Sequence, residues 1–129
     1  MRIILCFALI VLSVSCLDER DNYIKKTDIV RISEELIPDT SVNLNIIQIR
    51  AKAEESNGCW RDLYFVLDRK NNFEYNLLAL GTYEGNGVCP DIMVYKDSII
   101  DFLPDKKGIY YFHIVKSKEK ITTDTIYVE

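Results

Sequence analysis

Ile47-Gln48-Ile49-Arg50-Ala51-Lys52-Ala53-Glu54 alternates apolar and polar side chains through all eight positions. A period of two marks a strand with one face in a core and one in water, because successive Cβ atoms of an extended chain point to opposite sides. From residue 28 onward that period, and not 3.6, governs the chain. Just upstream, Val42, Leu44 and Ile46 keep the opposite phase. A one-residue slip exchanges faces, so a bulge or a sheet-switching bend is expected near Ile46. Residues 28–33 form a first candidate strand with Val30 and Ile32 on one face. Glu34 and Glu35 start at most a helical turn, which Pro38 stops.

Downstream, Ser56-Asn57-Gly58 reads as a turn, with Gly58 free to take a positive φ. Residues 59–67 form a strand with Leu63, Phe65 and Leu67 on one face and Trp60, Tyr64 and Val66 on the other. Residues 68–72 suit a hairpin loop and 73–83 its return strand, where a short helix also fits. Gly85-Asn86-Gly87 makes a loop before Cys89-Pro90. Residues 92–95 and 99–103 read as two short strands parted by Lys96-Asp97-Ser98. A turn at 104–108 leads into 109–115, with Tyr110, Phe112 and Ile114 on one face. A charged loop then precedes a closing strand at 121–128, with Ile126 and Val128 inward. No internal repeat is present. Seven to eight short strands, with turn signals every eight to twelve residues, predict an all-β, antiparallel β-sandwich.

The amino terminus sets the compartment. Arg2 is followed by an apolar run over residues 3–12 and by the small residues Ser13-Val14-Ser15 before Cys16. That is the order of a secretory signal, and the run is too short to span a bilayer. The expected organisation is a signal peptide at 1–15, a polar tether at 16–27 and the domain at 28–129. Cleavage leaves 114 of the 129 residues, enough for one core and not for two. It removes one charge, Arg2, taking the formal net charge from −4 to −5. A mildly acidic chain without a basic cluster speaks against nucleic acid or an anionic lipid surface as partner. Cys6 leaves with the signal, and Cys59 and Cys89 remain as an even pair in an oxidising compartment. A bridge between them would close a loop of about thirty residues and stabilise the fold by roughly 3–4 kcal/mol. Two reduced, buried thiols are the alternative. Two thiols and one distant histidine do not make a zinc shell, so no metal or other cofactor is expected.

A cysteine directly after such a segment resembles the bacterial lipoprotein signal, in which that cysteine becomes the lipidated first residue. The Ser15-Cys16 ending is similar to signals of Bacteroidetes lipoproteins, and Asp18-Glu19 to the acidic tags of their surface-exposed members. Pro104-Asp105-x-x-Gly108-x-Tyr110-x-Phe112 resembles the turn and penultimate strand of immunoglobulin-like domains, where a corner tyrosine hydrogen-bonds back to the preceding turn. Phe112 stands where true immunoglobulins carry a cysteine, so the likeness is to the broad sandwich class. Asn57-Gly58-Cys59-Trp60, Cys89-Pro90, Gly108-x-Tyr110-x-Phe112 and Asp124-x-Ile126-x-Val128, in that order, also resemble small Bacteroidetes lipoproteins over residues 42–129. The family lends no activity. The resemblance implies a lipid on Cys16 and a place in the bacterial cell envelope, as an outer-membrane lipoprotein facing outward.

Residues for catalysis are sparse. His113 is the only histidine and falls on the outward phase of its strand; a catalytic role needs a nucleophile and an orienting carboxylate beside it. Asp62, Asp68, Asp101, Asp105 and Asp124 are candidate acids, but nothing marks two of them as facing across a cleft, and solvated faces and turn caps explain them better. Asp18-Glu19-Arg20-Asp21 lacks calcium-loop spacing, and Gly85-Asn86-Gly87 is not a phosphate loop. Eight tyrosines and one tryptophan are many for this length. Tyr111 and Tyr127, with Tyr64 nearby, form a candidate exposed aromatic stripe for a glycan or protein partner. Ordinary cross-strand pairing explains the same residues more simply. The sequence therefore reads as a lipid-anchored, non-enzymatic interaction module. A structural or assembly subunit of an envelope complex is the alternative, and a small hydrolase comes third.

Overall fold

The computed structural model describes residues 22–41 and 43–129; the signal segment, Cys16 and Val42 lie outside the described residues. The described chain is all-β. Its strands are β1 (Ile24–Leu36), β2 (Thr40–Ser41), β3 (Ile47–Glu55), β4 (Trp60–Arg69), β5 (Glu74–Gly85), β6 (Val94–Phe102), β7 (Gly108–Val115) and β8 (Ile121–Val128). They form one curled, mixed sheet in the order β2-β8-β7-β5-β1-β3-β6, with β4 on the other edge of β5. β1 is the fold line. Residues 24–30 pair with β5, residues 31–36 pair with β3, and the register shifts between Ile32 and Glu34.

The alternation read from the sequence is the alternation of burial. Ile47, Ile49, Ala51 and Ala53 are buried while Gln48 and Arg50 are exposed. Facing them across the core are Val30, Leu77, Ala79, Tyr110, Phe112, Ile114, Ile126 and Val128. Rings fill the middle. Phe112 stacks on Tyr75 with centroids 5.7 Å apart, and the Phe102 ring stands edge-on to Phe112 at 5.1 Å and to Tyr110 at 5.2 Å. Gly81 packs against Leu63, Val30 and Trp60, where a Cβ would meet Leu63 Cδ2 at 2.5 Å.

The structure departs from the sequence reading in several places. The strands are not all antiparallel: β5 runs parallel to β7, and β2 parallel to β8. A crossover through β6 joins β5 to β7, so no tight hairpin dictates an opposite direction. β1 starts at Ile24, inside the segment expected to be tether, and continues through Glu34 and Glu35 without a helical turn. The phase change before β3 is a loop at residues 43–46, with Leu44 and Ile46 exposed, and not a bulge in a continuous strand. β6 is one strand; its backbone pairs with β3 at all nine positions, straight through Lys96-Asp97-Ser98. Gly58 does not take a positive φ; a Cβ there would sit 3.0 Å from Pro90 Cβ and from Ile92 Cγ1, so close packing explains it. Asp62 has the positive φ instead, at 53°, and the register of β4 shifts between Arg61 and Tyr64. That extra residue turns Trp60 onto the core beside Leu63 and Phe65, residues expected on the opposite face from it.

Local bonds lock the ends. The Tyr110 hydroxyl donates to the Lys106 carbonyl at 2.7 Å and accepts from the Lys106 N–H at 3.1 Å, the back-bond to the preceding turn that the corner motif implies. Cys59 and Cys89 are joined by a disulfide that ties the β5–β6 loop to the start of β4.

The β7–β8 loop is strapped to β1 by Lys118 on Asp28, Lys116 on Glu35, and the Ile32 N–H on the Lys116 carbonyl. Hydrogen bonds from Lys118, the Ile29 N–H and Lys26 hold the Asp28 carboxyl down at about 2, against an ordinary 3.8. A depressed carboxylate binds fewer protons folded than unfolded, so its stabilisation is complete above pH ~4 and is lost as pH falls toward ~2. Between pH 4 and 2 the urea midpoint, followed by Trp60 fluorescence, is expected to fall more steeply in the parent chain than in Asp28→Asn. Equal slopes would show that the strap carries no linkage.

Candidate functional site

The outer face of β5, β7 and β8 collects Tyr111, Tyr127 and His113, three of the side chains singled out from the sequence. Tyr111 pairs with Glu74 on one side and Thr125 on the other. One row further along, Tyr127 pairs with Ile109 and, on β2, with Thr40. Tyr111 and Tyr127 are therefore diagonal neighbours, roughly 7–8 Å apart at the backbone and within reach of each other's rings. They are 41% and 47% exposed, and Ile109 beside them is 48% exposed. A third row holds Asn76, His113 and Thr123. Together these rows form an open platform with aromatic and aliphatic surface at one end and hydroxyl, amide, imidazole and carboxylate groups at the other.

Tyr64 is not part of it. It pairs with Leu80, which pairs in turn with Ile29 of β1. Leu80 lies six positions along β5 from Glu74, roughly 20 Å away at about 3.3 Å per residue. Tyr64 thus belongs to a separate cross-strand cluster with two aliphatic neighbours, and the predicted three-tyrosine stripe reduces to a pair.

His113 has the neighbours that sequence spacing could not supply. Its Nδ1 lies 3.0 Å from Thr123 Oγ1, and its Nε2 lies 3.5 Å from a Glu74 carboxylate oxygen. A carboxylate, an imidazole and a hydroxyl in file match the parts list of a nucleophilic triad. The setting does not match it. The three side chains stand on an open, solvated sheet face, and the strand amides beneath them are spent in the β5–β7–β8 ladders, leaving no donor pair among the described residues aimed at a developing oxyanion. The arrangement suits hydrogen bonding to a bound group.

The aspartates do not converge. Asp62, Asp68 and Asp101 are exposed on β4 and β6, Asp105 lies 3.4 Å from the Arg69 guanidinium in the corner turn, and Asp124 accepts the Thr125 N–H. Among the described residues no group of three His, Cys, Asp or Glu side chains is placed to hold a metal, and no helix is long and apolar enough to cross a membrane. The platform was missed because β5 meets β7 in a parallel pairing that no hairpin signal announces. No protein-family model matches the chain, and it matches neither a curated protein nor a solved structure.

Proposed function

We propose that this chain is a non-enzymatic binding module, anchored through a lipid on Cys16 to the outer membrane of a bacterial envelope, and that a glycan lands on the outer face of β5, β7 and β8. The observation that carries the reading is the exposed Tyr111–Tyr127 pair with Thr40, Thr123, Thr125, Asn76, His113 and Glu74 around it. Tyrosine combines a flat apolar body with a polar tip. A pyranose likewise has apolar C–H faces and a rim of hydroxyls, so stacking and edge hydrogen bonds are satisfied together. The short tether after Cys16 would keep the domain close to the membrane. Kinship with immunoglobulin-like sandwiches of Bacteroidetes lipoproteins draws support from the Tyr110 corner, while the parallel β5–β7 pair departs from that pattern.

A structural subunit joined by strand addition is the second reading, because β6 forms its ladder with β3 alone. Lys96, Asp97 and Asp101 stand exposed on that edge, the charged pattern that discourages further pairing. The binding reading is therefore preferred.

The test uses affinity electrophoresis through gels containing soluble neutral polysaccharides. At least one should retard the chain, and Tyr111→Ser/Tyr127→Ser should weaken that retardation by about tenfold or more, equivalent to ~1.4 kcal/mol. The same pair of changes should cost folding only some tenths of a kcal/mol. Retardation unaltered in the folded double variant removes the site. In cells fed an alkynyl fatty acid, labelling that Cys16→Ser abolishes is the matching check on the anchor.

A further inference from the structure

The outer surface of the other half of the sheet, built from β1, β3 and β6, carries an open trough of about 600 Å³. Strand register defines its walls. Leu36, Arg50 and Ile99 lie in one row across the three strands, and Glu34, Lys52 and Asp97 lie in the next outward row. Between the rows the floor is the backbone of Glu35, Ala51 and Ser98.

Arg50 is unlike the other described arginines. Arg31 is paired with Glu54 at 3.2 Å, Arg61 with Glu84, and Arg69 with Asp105 at 3.4 Å. No carboxylate lies within 4 Å of Arg50 among the described residues, and its cross-strand neighbours are Leu36, 64% exposed, and Ile99, 53% exposed. An unpaired guanidinium between two exposed aliphatic side chains presents a charge-assisted donor fork with apolar flanks. Lys52 stands two residues along the same strand, its ammonium 5.3 Å from the Tyr95 ring centroid. Tyr95 lies in the row beyond Lys52, so the ammonium is drawn away from Arg50 and the guanidinium is the charge presented between Leu36 and Ile99.

We propose that this trough binds a carboxylate carried on a short aliphatic body, its charge held by the Arg50 guanidinium and its hydrocarbon laid against Leu36 and Ile99. The guanidinium fork matches a carboxylate in a bidentate manner. Glu34 and Asp97, one on each side of Lys52, offset its charge and leave Arg50 as the single uncompensated cation, so a monoanion is favoured over a phosphate dianion, whose repulsion from the two carboxylates is greater. The residues flanking Arg50 are aliphatic, which suits an alkyl chain. The site is on a different part of the sheet from Tyr111 and Tyr127, and it stands or falls independently of the glycan platform.

The test is an NMR titration of the full chain carrying Cys16→Ser, so that no acyl group competes, with sodium hexanoate. Saturable shifts are expected at the Arg50 Nε–H and at the Ala51 and Ile99 amides, with a dissociation constant in the millimolar range typical of so small a ligand in an open site. Acetate, which keeps the charge, and hexanol, which keeps the chain, should each bind about tenfold more weakly or worse, and hexyl phosphate should also be weaker than hexanoate. Arg50→Gln should abolish the shifts while leaving the rest of the spectrum in place, since no partner of Arg50 is lost. Equal binding of hexanol, equal binding of acetate, binding undiminished in Arg50→Gln, or no saturable shift by about 50 mM hexanoate would each overturn the proposal.

Discussion

Phe112→Ala is expected to destabilise the domain by about 3–5 kcal/mol, the range for deleting a ring from a core that cannot collapse around the gap. Three features put Phe112 at the upper part of that range. Its side chain is fully buried on β7, the strand between β5 and β8. It stacks on Tyr75 of β5 and meets the edge of Phe102 from β6, so it joins the two halves of the curled sheet. Its neighbours Tyr75, Phe102 and Tyr110 are rigid rings that also contact one another, so none can swing into the vacancy without breaking another contact. Against a total stability of about 5–15 kcal/mol for a domain, such a loss should lower the thermal midpoint by more than ~10 °C. The adjacent residue is the internal control. Tyr111→Ala, one step along the same strand on the open face, should cost less than about 1 kcal/mol. Thermal melts by circular dichroism compare the two, and equal losses would mean that β7 does not alternate between core and water as described.

That contrast also shows what could be read from the chain beforehand. β3, β7 and β8 were legible because each has a covered inner face and a wet outer one, so burial imprinted the period directly on the sequence. β6 was cut in two because Lys96, Asp97 and Ser98 are polar on both faces. Its continuity comes from backbone bonds to β3, which leave no trace in side-chain chemistry. The first four residues of β1 read as tether for the same reason: all four are exposed, and only their pairing with residues 82–85 makes them a strand. The placement of Trp60 and Leu63 on opposite faces fails on a single residue of irregular register at Asp62, and a phase argument cannot survive a one-residue slip.

The candidate sites divide along the same line. That Tyr111, Tyr127 and His113 leave the core follows from their phase alone. That His113 meets Glu74 and Thr123, that Tyr64 lies far off, and that Arg50 has aliphatic rather than acidic neighbours all depend on which strands are adjacent. Adjacency here includes a parallel pair between β5 and β7 and a strand, β1, divided between two partners. Both are non-local choices, settled by how the whole apolar set closes on itself. Composition could give the net charge; it could not name a surface.

Loss of the Cys59–Cys89 bridge is expected to be the other large effect. The two cysteines are 30 residues apart in sequence, and in the chain-entropy view a loop of that length restricts the unfolded ensemble by about 3–4 kcal/mol. The Cys59→Ala/Cys89→Ala variant should therefore lose close to that amount and still fold, because other contacts hold the same junction. The Gly58 N–H donates to the Pro90 carbonyl at 2.8 Å, the Glu84 N–H donates to the Cys59 carbonyl at 2.9 Å, and Trp60 meets Tyr83 edge-to-face at 5.4 Å. Urea unfolding with and without dithiothreitol separates the bridge from the side-chain changes. Reductant should bring the parent chain down to the stability of the double variant and leave the double variant where it was. Cys59 is buried and Gly85 packs on its sulfur, so reduction of the folded chain should be slow and should accelerate in urea along with global opening. A double variant within about 0.5 kcal/mol of the oxidised parent would mean that the β5–β6 loop is held by its backbone bonds alone, and that the cross-link constrains an unfolded chain already compact at that junction.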